Sequence, residues 1–199
     1  MPRLLAVATL VAGGCGDARR TPQSSAVPDS ADVALARAAA TGLGSDLMSM
    51  LTRELTRGGP AAAIAVCADS AQERTRRHQE GGVMVRRVGT RMRNPLNTPD
   101  SVEQAVLRSF AASIAAGGSP GDSSFVIRAP GGAGELRFMR PVRVQELCLT
   151  CHGPVEQIAP EVRRTIAARY PGDQATGYSV GELRGAVSVR FTLPRGSAE

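Results

Sequence analysis

The chain has 199 residues and a mass of 20.7 kDa, the length of one domain plus a short extension. Its 42% hydrophobic and 21% charged residues exclude wholesale disorder, a collagen repeat and a coiled-coil rod. The formal charge of +6 comes from arginine alone, because no Lys occurs. Those arginines are interleaved with acids and aromatics are only 3%, so no nucleic-acid partner is expected.

At the N-terminus Arg3 supplies a positive start, Leu4 to Ala12 an apolar stretch, and Ala12-Gly13-Gly14 precede Cys15. This resembles a bacterial lipoprotein signal ending in a lipobox. The apolar run is short of the roughly 20 residues that span a bilayer and reads as the h-region of an export signal. Residues 1–14 are then the signal peptide and Cys15 the lipidated N-terminus. Residues 15–29, rich in Gly, Ser, Pro, Asp and Arg, form a flexible tether, and the folded domain is 30–199. An ordinary signal cleaved nearby, with Cys15 incidental, is the alternative. Both readings put the domain outside the cytoplasm, and the first anchors it by lipid to the periplasmic face of a membrane.

Ser30 to Arg57 carries Leu43, Leu47, Leu51 and Leu55 at four-residue spacing, which predicts an amphipathic helix. Gly58-Gly59 stops it and Pro60 starts a second helix, on whose apolar face Ile64, Cys67, Ala68 and Ala71 fall. Gly81-Gly82 ends that helix. Val83 to Val88 reads as a short strand leading into the turn-rich Arg93 to Asn97. Thr98-Pro99-Asp100 predicts a helix start with Thr98 as cap, and Val102, Val106 and Phe110 follow at helical spacing. Phe125 to Ala129 and Glu135 to Val144 flank a hairpin turn at 130–134, with Pro141 marking an edge or strand end. A helix interrupted or restarted at Pro160 covers Val155 to Arg169. In the last strand Val187, Val189, Phe191 and Leu193 alternate with Ser188, Arg190 and Thr192, one face buried and one wet. Helices followed by strands with an inserted helix predict an α+β domain, its antiparallel sheet covered on one face.

Cys148-Leu149-Thr150-Cys151-His152 is the C-x-x-C-H signature of c-type haem attachment. Thiols three positions apart reach the two vinyl groups of one haem as thioethers, and the adjacent imidazole lies beneath the iron. Three other readings use parts of the same motif. A dithiol redox pair needs only C-x-x-C. A zinc site needs a fourth ligand, which His78 or Cys67 could supply. A structural disulfide is the plainest, since exported proteins tolerate them.

For a second axial position the donors are Cys67, His78 and the methionines Met48, Met50, Met84, Met92 and Met139. From the residues alone Cys67 is either that ligand or a buried thiol acting as a small hydrophobe. His78 lies in a polar stretch that reads as a solvated helix face, and the methionines read mostly as core. Arg86, Arg87, Arg91 and Arg93 form a dense basic segment. It either holds haem propionates through paired hydrogen bonds or is a solvated strand edge.

Several segments together resemble the PAS-like haem-c sensor family. They are Pro60 to Cys67, Val85-Arg86-Arg87 with Arg91 to Pro99, Cys148 to Gly153, and Tyr170 to Tyr178 with Gly185 to Val189. The resemblance implies a PAS-like antiparallel sheet with long N-terminal helices packed on it. It implies one covalent haem c on Cys148 and Cys151, with His152 on one side of the iron and Cys67 on the other. Val102 and Val88-Gly89-Thr90 depart from the family pattern and bear on local packing.

A thiolate ligand stabilises ferric iron, whereas His/Met ligation raises the potential. The expectation is therefore a redox or diatomic-gas sensor, in which loss of Cys67 on reduction frees a position for CO or NO. A separate membrane partner would carry the signal onward. A small periplasmic electron-transfer cytochrome is the first alternative and a haem-free thiol-redox or structural lipoprotein the second. No Ser-His-Asp constellation is evident, so no enzymatic activity is expected.

Overall fold

A computed structural model of the protein describes residues 27–128 and 133–193. The expected export signal with Cys15, the expected tether up to residue 26, most of the expected hairpin turn and residues 194–199 lie outside them. Among the described residues no helix is long and apolar enough to cross a membrane.

Helix α1 spans Ser30–Arg77. Asp29 caps it by accepting a hydrogen bond from the Ala31 amide at 2.8 Å, satisfying one of the donors that a helix start leaves free. Gly59 breaks it with φ 75° and ψ −175°, a left-handed conformation open to glycine because it has no Cβ. Pro60 then opens the second arm, where its missing N–H costs nothing. The arms fold back on one another: Asp46 of the first takes Arg74 of the second at 2.5 Å, and His78 just beyond it at 3.3 Å. His78 is thus held half-buried between the arms, which corrects the expectation of a solvated face.

Strand β1 is Met84–Val88, helix α2 Ser101–Ala115, β2 Ser123–Arg128, β3 Gly134–Arg143, helix α3 Glu146–His152, helix α4 Pro160–Arg169 and β4 Leu183–Leu193. The strands form one antiparallel sheet in the order β1-β4-β3-β2. Pro141 falls beyond the last β2 partner, Met139, and pairs only with Ala186 of β4, so on the β2 side its missing N–H costs no ladder bond. The α2 cap is Asp100 and not Thr98. Its carboxylate accepts from the Glu103 amide while Glu103 accepts from the Asp100 amide, each at 2.8 Å, a reciprocal capping box.

The sheet is covered on both faces, which corrects the expectation of one. Val85, Val126, Leu136, Phe138, Val187 and Val189 meet Ala36, Ala40 and Leu43 of α1. On the other face Val88, Met139 and Ala186 meet Leu107 and Phe110 of α2. Ser188, expected on a wet face, is 3% exposed, because small residues at 186 and 188 let α2 approach. Phe138 is fully buried, and truncating such a ring to Ala costs about 3 to 5 kcal/mol.

A bulge interrupts the β3–β4 ladder. Val142 pairs with Gly185 and Arg143 with Leu183, so Arg184 is passed over. Gly185 sits at φ 153°, and a Cβ there would lie 2.2 Å from the Val88 carbonyl oxygen. The bulge reverses the alternation along β4. Leu183 therefore packs with Val88 and Ala186 against α2, and Arg184 turns to the opposite side.

Candidate functional site

The Cys-x-x-Cys-His segment is helix α3 and the glycine-capped turn after it. Cys148 and Cys151, three positions apart, share one side of this helix, and both are free thiols, as is Cys67. Cys148 packs beside Val144, Ala175 and Tyr178, and Cys151 beside Ile64, Ile158 and Tyr170.

The end of α3 is tied to the Tyr170 to Tyr178 loop. The His152 carbonyl accepts from the Tyr178 amide at 2.9 Å and the Gly153 carbonyl from the Gly177 amide at 2.7 Å. The Cys151 carbonyl accepts from Arg93 Nη2 at 2.6 Å. These bonds satisfy oxygens that a helix end leaves free. Arg93 also grips both oxygens of Asp173, at 3.0 and 3.1 Å, and Asp173 Oδ1 accepts from the Ala175 amide at 3.0 Å.

That chain of contacts ends on His152, whose Nδ1 donates to the Ala175 carbonyl at 2.6 Å. The tautomer follows: the proton sits on Nδ1 and Nε2 keeps its lone pair. The ring meets Tyr178 edge-on, with centroids 6.3 Å apart. Burial, and then the charges of Arg184 and Arg93, push the His152 pKa down to about 3. The imidazole is neutral over the ordinary pH range.

Cys67 lies on the second arm of α1, close enough to Arg87, Cys151 and Tyr170 for their charges to act on one another. Burial pushes its thiol pKa up, and Arg87 opposes that shift. The structure thus gathers Cys67, Cys148, Cys151, His152, Arg87 and Arg93. It separates Arg86, whose guanidinium binds the Glu103 carboxylate and, at 3.0 Å, the Thr98 carbonyl. Successive strand residues face opposite sides, so Arg86 lies on the α2 face and Arg87 on the α1 face.

Met50 and Met139 are core, Met48 and Met84 are exposed, and Met92 Sδ accepts from Thr98 Oγ1 at 3.1 Å. Among the described residues no three His, Cys, Asp or Glu side chains converge as metal ligands.

Sequence reasoning missed Arg184. Its Nη1 donates to the Arg91 carbonyl at 3.2 Å, and its guanidinium stands 5.5 Å from the Tyr178 ring centre, with that of Arg91 over the same ring at 3.8 Å. The only signal for it is Gly185, a glycine inside a strand pattern, which marks bulges.

Fold and site together define an α+β domain of PAS-like architecture, its chemistry concentrated on one Cys-x-x-Cys-His helix beside its sheet. The chain belongs to the Tll0287-like family, whose model matches residues 19–192. Its fold is similar to that in the crystal structure of the cyanobacterial haem protein Tll0287, with a TM-score of 0.61 and 22% identity over 86% of this chain and 100% of that one. No curated protein matches the chain.

Proposed function

We propose that the protein binds one haem c, joined covalently to Cys148 and Cys151, with His152 and Cys67 as axial ligands, and acts as a redox or diatomic-gas sensor. The observation that carries this reading is the His152–Ala175 bond. It fixes a neutral imidazole with its Nε2 lone pair free, next to two unpaired thiols on the same helix. A buried orphan supports the fit. Arg87 Nε has no hydrogen-bond partner among the described residues, and a buried donor left unpaired in this way calls for a missing acceptor.

Bound haem supplies a redox-active iron able to take a small ligand such as CO or NO. The chain's residues do the rest. The Arg93–Asp173–Ala175 relay orients His152, the Tyr170 to Tyr178 loop covers the site, and Arg87 receives a carboxylate. Cys67 is the exchangeable ligand. The Cys15 lipid anchors the domain on the periplasmic face, from which a separate membrane partner takes the signal, and no enzymatic step is assigned.

The test is expression with the signal in a host competent for haem c attachment, followed by spectra of both oxidation states and of the sample denatured in alkaline pyridine. A c-type pyridine spectrum and a thiolate-type ferric spectrum lost in Cys67→Ala are expected. A spectrum of His/Met type indifferent to Cys67 would favour an electron carrier. Absence of haem after proper export would return the site to thiol-redox or structural chemistry. Cys15→Ser is expected to release the protein from the membrane fraction.

A further inference from the structure

Four arginines on or beside this sheet are matched by acids. Arg86 has Glu103, Arg93 has Asp173, Arg137 has Asp100 and Glu135, and Arg140 has Asp122. Arg87 and Arg184 have no carboxylate within ion-pair distance among the described residues. Yet burial acts on both, pushing each guanidinium below its ordinary range, and each also bears on His152.

The geometry around them is built. Arg87 reaches the α1 face by the alternation of β1, and its Nε is buried without an acceptor. Arg184 reaches the same site only because of the bulge at Gly185. There it bonds the Arg91 carbonyl and lies beside Tyr178, a ring 2% exposed. Two sequestered cations with no counter-charge carry a desolvation cost that a bound anion would offset. Guanidinium is the side-chain group shaped for planar carboxylates.

We propose that Arg184 and Arg87 receive the two propionate carboxylates of the bound haem, one guanidinium to each, while Arg86 and Arg93 hold the protein's own elements. This rests on the haem reading above and adds to it a residue, Arg184, from outside the basic segment at 86–93. The Gly185 bulge is the device that delivers it.

The test labels haem carboxylates in the holoprotein with a water-soluble carbodiimide and an amine, read by mass spectrometry of the haem peptide carrying Cys148 and Cys151. Carboxylates held by guanidinium groups are shielded, so slow labelling is expected in the parent. Arg184→Gln and Arg87→Gln should each speed it about tenfold or more, in keeping with loss of a charge-assisted hydrogen bond. Arg108→Gln, an exposed residue of α2, should be indistinguishable from the parent. Parent-rate labelling in both glutamine variants would overturn the proposal while leaving haem attachment intact. Failure of the haem reading itself shows separately, as a parent protein with no c-type pyridine spectrum.

Discussion

His152 Nδ1 and the Ala175 carbonyl oxygen lie 2.6 Å apart, and the acceptor is held there by Asp173, which bonds the Ala175 amide and Arg93 at once. Asp173→Ala should therefore act on His152 from a distance. The Arg93 and Asp173 side chains are 11% and 8% exposed, and removing one partner of such a pair costs about 3 kcal/mol or more, measurable by urea unfolding. In the haem-loaded protein His152 should also become easier to displace with added imidazole. Imidazole sensitivity equal to that of the parent would show that the loop does not orient the ring.

Gly185→Ala should be far more damaging than an ordinary glycine substitution. Its φ of 153° disfavours any side chain, and the new Cβ would meet the Val88 oxygen at 2.2 Å, a backbone atom that cannot swing aside. The expected loss is about 3 kcal/mol or more. Gly172, where an added Cβ would meet nothing within 4 Å, is the comparison, and Gly172→Ala should stay within about 0.5 kcal/mol. Similar thermal midpoints for the two variants would remove the bulge from the account of the site.

The features legible in the sequence are those that rest on local chemistry. Gly59 and Pro60 mark a break whatever surrounds them, and alternation marks β4. Helix α3 is not legible, because seven residues are too few for periodicity to register. The α2 cap is misread when Thr98-Pro99 is weighed without the reciprocal Asp100 and Glu103 pair. Sequence proximity groups Arg86 with the site, although strand alternation separates it from Arg87. Arg184 depends on a register shift in the β3–β4 ladder, a relation between strands that neither strand carries alone.

Acid should loosen α1 from the sheet through Asp122. This carboxylate takes both nitrogens of an Arg140 fork at 2.9 Å and Arg37 of α1 at 3.3 Å, and the Arg140 hydrogen bonds hold its pKa below the ordinary value. A depressed folded-state pKa means that the unfolded chain takes up the proton first. The stabilisation is thus complete above the unfolded value of about 3.9 and is lost as pH falls through the folded one. Thermal midpoints followed from pH 7 to pH 3 should drop for the parent and drop less for Asp122→Asn. Parallel curves would place the acid sensitivity elsewhere.

Arg86 and Arg87 are adjacent in sequence and should fail in opposite ways. Arg86→Gln strands Glu103, which is 2% exposed and also closes the α2 capping box. The cost should be about 2 to 3 kcal/mol, below that of a fully buried pair because Arg86 is 34% exposed. Haem attachment and the visible spectrum should not change, since the α2 face lies across the sheet from His152. Arg87→Gln removes a guanidinium whose Nε has no partner, so urea unfolding of the haem-free chain should show little loss or a gain. Its effect should be confined to the haem-loaded protein, as faster carboxylate labelling. A loss of stability in Arg87→Gln equal to that in Arg86→Gln would mean that Arg87, too, serves the fold, and would leave the site one cation short of its anion.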